Sequence, residues 1–237
     1  MKLSVIVFNL LFFSISLLNA EDVIIAPAPV SDDSIIGSGS QNRFTLGYMS
    51  YTSDEFELNG ANVILGTRDR NGEGFVLDAS ASFTGLYGDT GGTDIAGAMF
   101  GGNLLFGAEL GIPEAIIYAG PTLTLTSLTM DTVTVINGTV FQDTLYINTL
   151  IYGATGGLQY KMALPFGSFT PWFFASYIGG TTTMETTATS ETSDIEFLTT
   201  TQFGFDLYFK AISTSLSSMY QTTKDGDLLN LSFTFHF

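Results

Sequence analysis

Few residues in this chain can do chemistry. Of 237 residues one is a histidine, His236, and none is cysteine. Without Cys there is no thiolate nucleophile, thiolate metal site or disulfide framework. A single imidazole excludes the His pairs that build zinc-type centres, so no metal and no cofactor is expected. The Gly pairs at 91–92, 101–102 and 156–157 have no strand-to-helix context and form no phosphate-binding fingerprint. What remains are carboxylates and bases. Arg43, Asp78, Glu109, Lys161, Asp206, Lys210 and His236 fall on the polar parity of alternating segments. Acids beside bases at such positions suit a paired structural network, since an unpaired buried charge is expensive; they also suit a polar constriction that selects solutes. A hydrolase would need a Ser and an orienting carboxylate beside His236, and no such set can be built from the sequence, so no catalytic residue is assigned.

A second group of acids lies between the alternating segments: Asp89, Asp94, Asp131, Asp143, Glu185, Glu191, Asp194, Asp225 and Asp227, with Lys224 nearly alone among them as a base. Carboxylates and loop carbonyls suit Ca²⁺ or Mg²⁺, but 224–227 is too short for a spaced calcium loop. Solvation and repulsion of neighbours explain these acids equally well.

Composition narrows the setting. Seven Lys+Arg against 23 Asp+Glu give a formal charge of -16, which leaves no footprint for nucleic acid. The hydrophobic fraction is 45%, with 21 Phe and 10 Tyr, too much for a disordered chain. Charged residues make up only 13%, about half the usual ~25%. With 26 Gly, this describes a surface that does not face water.

The elements that position these residues follow from periodicity. Residues 1–20 carry a basic start, an apolar run over 3–18 and Asn19-Ala20 before two acids, the pattern of a secretory signal peptide. Residues 21–41 are rich in Pro, Ser, Gly and Asp and read as a tail or linker. From Asn42 to Phe237 the period is 2. Phe75, Leu77, Ala79, Ala81 and Phe83 alternate with Val76, Asp78, Ser80 and Ser82, and the chain closes with Leu229, Leu231, Phe233, Phe235 and Phe237 against Asn230, Ser232, Thr234 and His236. Segments 43–51, 56–66, 169–178 and 212–220 are less regular, and Gly60 suggests a bulge. Aromatics near strand ends, namely Tyr87, Tyr152, Trp172, Phe209, Tyr220, Phe233, Phe235 and Phe237, suit interfacial girdles.

The count is about ten strands, or eight if the first two irregular segments are not both strands. Short connectors at 68–72, 111–114, 164–168 and at Lys210 alternate with longer acidic or Thr-rich ones at 88–94, around Asn137, at 180–194 and at 222–227. That alternation belongs to an up-and-down membrane barrel. Asn137-Gly138 supplies the positive φ of a type I′ hairpin tip. Its two strands would exceed twenty residues each, against the 9–11 a spanning strand needs, so this hairpin should project. The Thr tract at 180–194 reads as an extended or disordered surface loop.

The leader, the amphipathic strands and the ending Leu231-Ser232-Phe233-Thr234-Phe235-His236-Phe237 resemble a small Gram-negative outer-membrane β-barrel protein of the OmpA, OmpX and OmpW kind. The resemblance implies an all-β, transmembrane, antiparallel up-and-down barrel over 42–237, with 21–41 in the periplasm. It implies that Leu231, Phe233, Phe235 and Phe237 form the signal read by the barrel-assembly machinery, and that the last strand ends on the periplasmic side, which puts the charge set in the periplasmic half of the lumen. The partners implied are outer-membrane lipid, lipopolysaccharide, the assembly machinery and small solutes or a surface ligand. Three functions stay open: a non-catalytic structural barrel or narrow porin-like pore; a surface adhesin acting through long extracellular loops; and a lipid-modifying enzyme or protease.

Overall fold

The computed structural model describes residues 39–53, 56–90, 93–136, 139–223 and 226–237, with the side chains of 133–142 left aside. The leader at 1–20 and the hairpin tip at Asn137 and Gly138 lie outside the described residues. The strands are β1 (Gly39–Ser53), β2 (Glu57–Arg70), β3 (Phe75–Thr90), β4 (Thr93–Glu109), β5 (Ala115–Ile136), β6 (Thr139–Tyr160), β7 (Met162–Leu164), β8 (Gly167–Glu185), β9 (Ser190–Phe209), β10 (Thr214–Thr222) and β11 (Gly226–His236). β1 begins three residues ahead of the alternation expected from Asn42. Each strand pairs antiparallel with its neighbours, β1 pairs with β11, and β6 pairs with β8. β7 continues β6 past Lys161, so the ring is a closed barrel of ten strands, and among the described residues there is no helix. Closure leaves no sheet edge along the paired wall, which is how an antiparallel sheet avoids open backbone.

The register fixes the shape. From Met49 the cross-strand ladder runs through Gly60, Leu86, Gly97, Leu128 and Ile147 to Met184 on β8. The ladder in the other direction runs through Asn230, Met219 and Gly204 to Trp172, also on β8. One circuit is therefore displaced by twelve residues, from Trp172 to Met184. Twelve residues of rise, ~40 Å, over ten strand spacings, ~48 Å, incline the strands by about 40° and put opposite walls roughly 20 Å apart.

Several local expectations need correcting. The first turn is 71–74, not 68–72: Asn71 Oδ1 accepts the amide N–H groups of Glu73 (3.1 Å) and Phe75 (2.8 Å), and Gly74 takes φ 83°. β2 consequently keeps Arg68 and Arg70. Gly60 is in regular register on both sides; the register shift is at Ile178/Gly180. The Thr tract at 180–194 is mostly strand rather than loop. β-Branched Thr packs well on a pleated surface, and Thr149–Thr182 (3.1 Å) and Thr183–Thr192 (3.0 Å) bond across strands. The connector at 88–94 is likewise the end of the β3–β4 hairpin.

Candidate functional site in the barrel interior

Alternation sends one side chain in two inward, and the inward set forms three layers. At the end bearing the short turns lies a charged floor. Arg43 on β1 donates from Nη1 and Nη2 to Asp78 on β3, at 2.8 and 2.5 Å. Arg68 on β2 donates from Nε to Asp78 Oδ2 at 2.9 Å. Asp78 is 1% exposed, so two guanidinium groups replace its lost water with charge-assisted bonds. Arg70 Nε donates to Glu109 Oε1 at 2.9 Å and its Nη2 to the Pro113 carbonyl at 3.0 Å. The Arg68 guanidinium also stands 5.7 Å from the Tyr118 ring centroid, a cation–π distance.

The remaining expected members divide. Lys161, Asp206 and His236 are buried. His236 Nε2 and Ser215 Oγ are hydrogen-bonded at 2.6 Å, and the imidazole meets Tyr208 edge-on. Ser215 is fully buried, so the pair sits inside the wall, not at an open surface. Lys210 does not join the network. β9 ends at Phe209, and Lys210 is exposed in the turn, where its N–H bonds to the Phe166 carbonyl at 3.0 Å. Parity fails there because the strand has already stopped.

Arg68 and Arg70 were not expected in this set. Inside the run Arg68-Asp69-Arg70-Asn71-Gly72 they look like turn residues. The available signal was their even parity, shared with Asn62 and Ile64.

Above the floor is a belt of small uncharged groups, including Thr45, Asn62, Thr84, Thr124, Ser176, Gln202, Gln221 and Ser232, all buried. Thr45 bonds to Thr234 (2.8 Å), Ser176 to Thr155 (2.8 Å) and Gln202 to Gln221 (2.9 Å). Toward the long hairpins the interior turns apolar. Met49, Tyr51, Leu58, Leu86, Ile95, Met99, Met130, Leu145, Ile147, Met184, Met219 and Leu228 belong to one packed cluster, which also continues through Trp172 and Phe174 to Tyr118, Leu105, Ile116 and Val76 beside the charged floor. Trp172, expected in a girdle, instead points inward and packs against Phe174 at 5.8 Å between ring centroids.

The outward set is apolar. Leu65, Phe83, Phe100, Leu123, Phe173 and Phe203 are exposed. Tyr48, Tyr87, Tyr152 and Tyr177 border the band toward the long hairpins, and Phe75, Phe106, Ile112 and Phe166 border it at the turn end, all exposed. Leu231, Phe233, Phe235 and Phe237 lie on this outer face.

Beyond the tyrosines the two longest hairpins touch. Asp143 on β6 accepts Thr187 Oγ1 at 3.1 and 3.0 Å through its two oxygens, and the Thr187 N–H at 3.4 Å. Asp131 accepts Thr144 Oγ1 at 3.0 Å. These loop acids therefore act as acceptors between strands. Asp225 and Lys224 lie outside the described residues.

No family model matches the sequence, and no curated protein matches it. Solved structures do. The translocator domain of autotransporter NalP from Neisseria meningitidis is 11% identical over 86% of this chain and 90% of that one, with a TM-score of 0.56. An outer membrane channel from Pseudomonas putida F1 is 13% identical over 90% and 100%, TM-score 0.45. Neisserial surface protein A is 12% identical over 84% and 96%, TM-score 0.36. The first likeness is one of fold, the closed antiparallel barrel.

Proposed function

We propose that this chain is a non-catalytic barrel of a bacterial outer membrane whose lumen is sealed by its own side chains. The apolar outer band supports the membrane reading. On β3 it runs from Phe75 to Tyr87, twelve residues that at ~3.4 Å each and a ~40° inclination span roughly 30 Å, close to a bilayer core. Aromatics at both borders suit the two interfaces. Short turns at one end and long hairpins at the other agree with the small-barrel class of the OmpA, OmpX and OmpW kind.

The observation that carries the seal is Asp78, held at 1% exposure between Arg43 and Arg68. Walls roughly 20 Å apart leave space that opposing long side chains fill, and the methionine cluster closes the other end in the same way. Ion passage would have to break the floor bridges and part the apolar cluster. The barrel's work then falls to its surface: stabilising the envelope, or recognition by the hairpins that Asp143 and Thr187 tie together. That tie favours recognition as the second reading, because ordered loops lose less entropy on binding.

Planar-bilayer recording of the folded protein, freed of residues 1–20, tests the seal. A silent bilayer is expected. Discrete conductance steps that change in Asp78→Asn or Lys161→Gln would replace the seal with a charged pore.

A further inference from the structure

The ring is not closed along the whole of β9. β4 pairs with β5 only as far as Met130, and β10 pairs with β9 only as far as Thr201. β5, β6, β8 and β9 continue past these points and stay paired with one another, β6 to β8 as far as Tyr146 and Glu185, and β8 to β9 as far as Glu185 and Ser190. A four-stranded wall therefore stands above the rest of the rim, and β9 forms one of its edges. Apart from the shift at Ile178/Gly180, residues 190–200 pair with β8 on one side. On the other side no strand among the described residues pairs with them. Such an edge presents a row of open N–H and C=O groups that another strand can take up. It is about twice as long as an average strand of 5–6 residues, and only Thr200 in it is buried.

Charge decides what the edge can accept. Glu191, Asp194 and Glu196 lie in it, and neither β8 nor β9 carries a Lys or Arg. Two copies pairing edge to edge would set these acids against one another, which opposes pairing. A basic strand meets the reverse. The register also puts acids on both faces. Glu191 is opposite Met184, buried in the mouth, and Asp194 is opposite Thr181 on the outer wall. An added strand, alternating in the same way, answers both acids with bases three positions apart.

We propose that residues 190–200 are a docking edge for an extended basic peptide segment. Main-chain bonds to β9 hold the segment, and bases spaced to meet Glu191 and Asp194 select it. The proposal deepens the recognition reading of the long hairpins and rests on it; in an outer membrane this edge faces the cell's surroundings.

The test uses refolded protein, freed of residues 1–20, in detergent, with labelled octapeptides of Thr. One has Lys at its third and sixth positions. A second has Lys at its third and seventh, which keeps the charge and puts both bases on one face. A third is the first with every backbone amide methylated. By fluorescence anisotropy the first should bind about threefold more tightly than the second, the worth of one cross-strand ion pair. It should bind about a hundredfold more tightly than the third, which has no backbone donor. With the first peptide at about ten times its Kd, alternate amides of 190–200 should exchange about tenfold more slowly. Glu191→Gln with Asp194→Asn, both exposed, should bring the first two peptides level. Equal binding of the methylated peptide would mean attraction without strand pairing and would overturn the edge. Equal binding of the two Lys spacings by the unaltered protein would overturn the register. A dimer of the unaltered protein that excludes the peptide would assign the edge to a second copy. Flotation with vesicles reads the membrane assignment separately. A protein that floats and ignores all three peptides overturns the edge alone; one that binds as expected and does not float keeps the edge and loses the membrane.

Discussion

Arg43 reaches Asp78 by lying across the strand between them. The two residues sit on β1 and β3, and the β2 residue paired with Arg43 is Gly66. A Cβ at Gly66 would stand 2.6 Å from Arg43 Nε. The bridge therefore depends on a missing side chain as much as on the two charges.

Gly66→Ala should displace the guanidinium and destabilise the barrel by about 1–3 kcal/mol, as overpacking usually does. Gly85→Ala is the control. Gly85 has open space at its Cβ position, and a change there should stay within about 0.5 kcal/mol. Urea unfolding in one detergent, followed by Trp172 fluorescence, reads both.

Removing the shared acid should cost more. Asp78→Ala leaves two buried guanidinium groups facing each other and should lower stability by about 3–5 kcal/mol. Replacing all three groups with apolar ones (Arg43→Met, Arg68→Met, Asp78→Leu) should recover most of that loss, because an ion network and an apolar cluster of equal volume are often equivalent. A triple variant as unstable as Asp78→Ala would show that the floor does more than fill space.

The two closures act in series. Asp78→Ala alone should stay silent in a planar bilayer, and so should Met49→Ala with Met99→Ala, since each leaves the other layer intact. The three changes together should give discrete steps. Conductance from the methionine changes alone would assign the whole seal to the apolar layer.

The hairpin tie can be loosened without touching the barrel. Asp143→Ala removes the acceptor of Thr187. Amide exchange at 186–189 should quicken about tenfold, the equivalent of ~1.4 kcal/mol, while the thermal unfolding midpoint holds. A falling midpoint would mean the hairpins also stabilise the wall.

The ring of ten strands was legible because period 2 survives along nearly the whole alternating region, and face assignment needs only parity. Asp78, Lys161, Asp206 and His236 were placed inside on that basis. Strand ends were not legible. Arg68 and Arg70 were lost to a turn that begins at Asn71, and Lys210 was placed inside by a strand that stops at Phe209. The methionine layer left no local signal at all. Met49, Met99, Met130, Met184 and Met219 lie far apart in sequence and come together only through a stagger that the whole closed ring determines. Trp172 shows the same limit, since an aromatic near a strand end suits either face.

The pairing of Arg43 with His236 also sets an order of events. Every other neighbouring pair of strands forms a hairpin, or nearly so, and can zip from its own turn. β1 and β11 must find each other from opposite ends of the ring, with Asn42 and Phe237 exchanging backbone bonds at 2.9 and 3.0 Å. Such a long-range closure is slow. Until it happens the growing sheet carries two open edges, both aromatic on the face that will meet lipid. The half-built wall is therefore the state most exposed to aggregation, and whatever escorts this chain must protect those two edges until they meet.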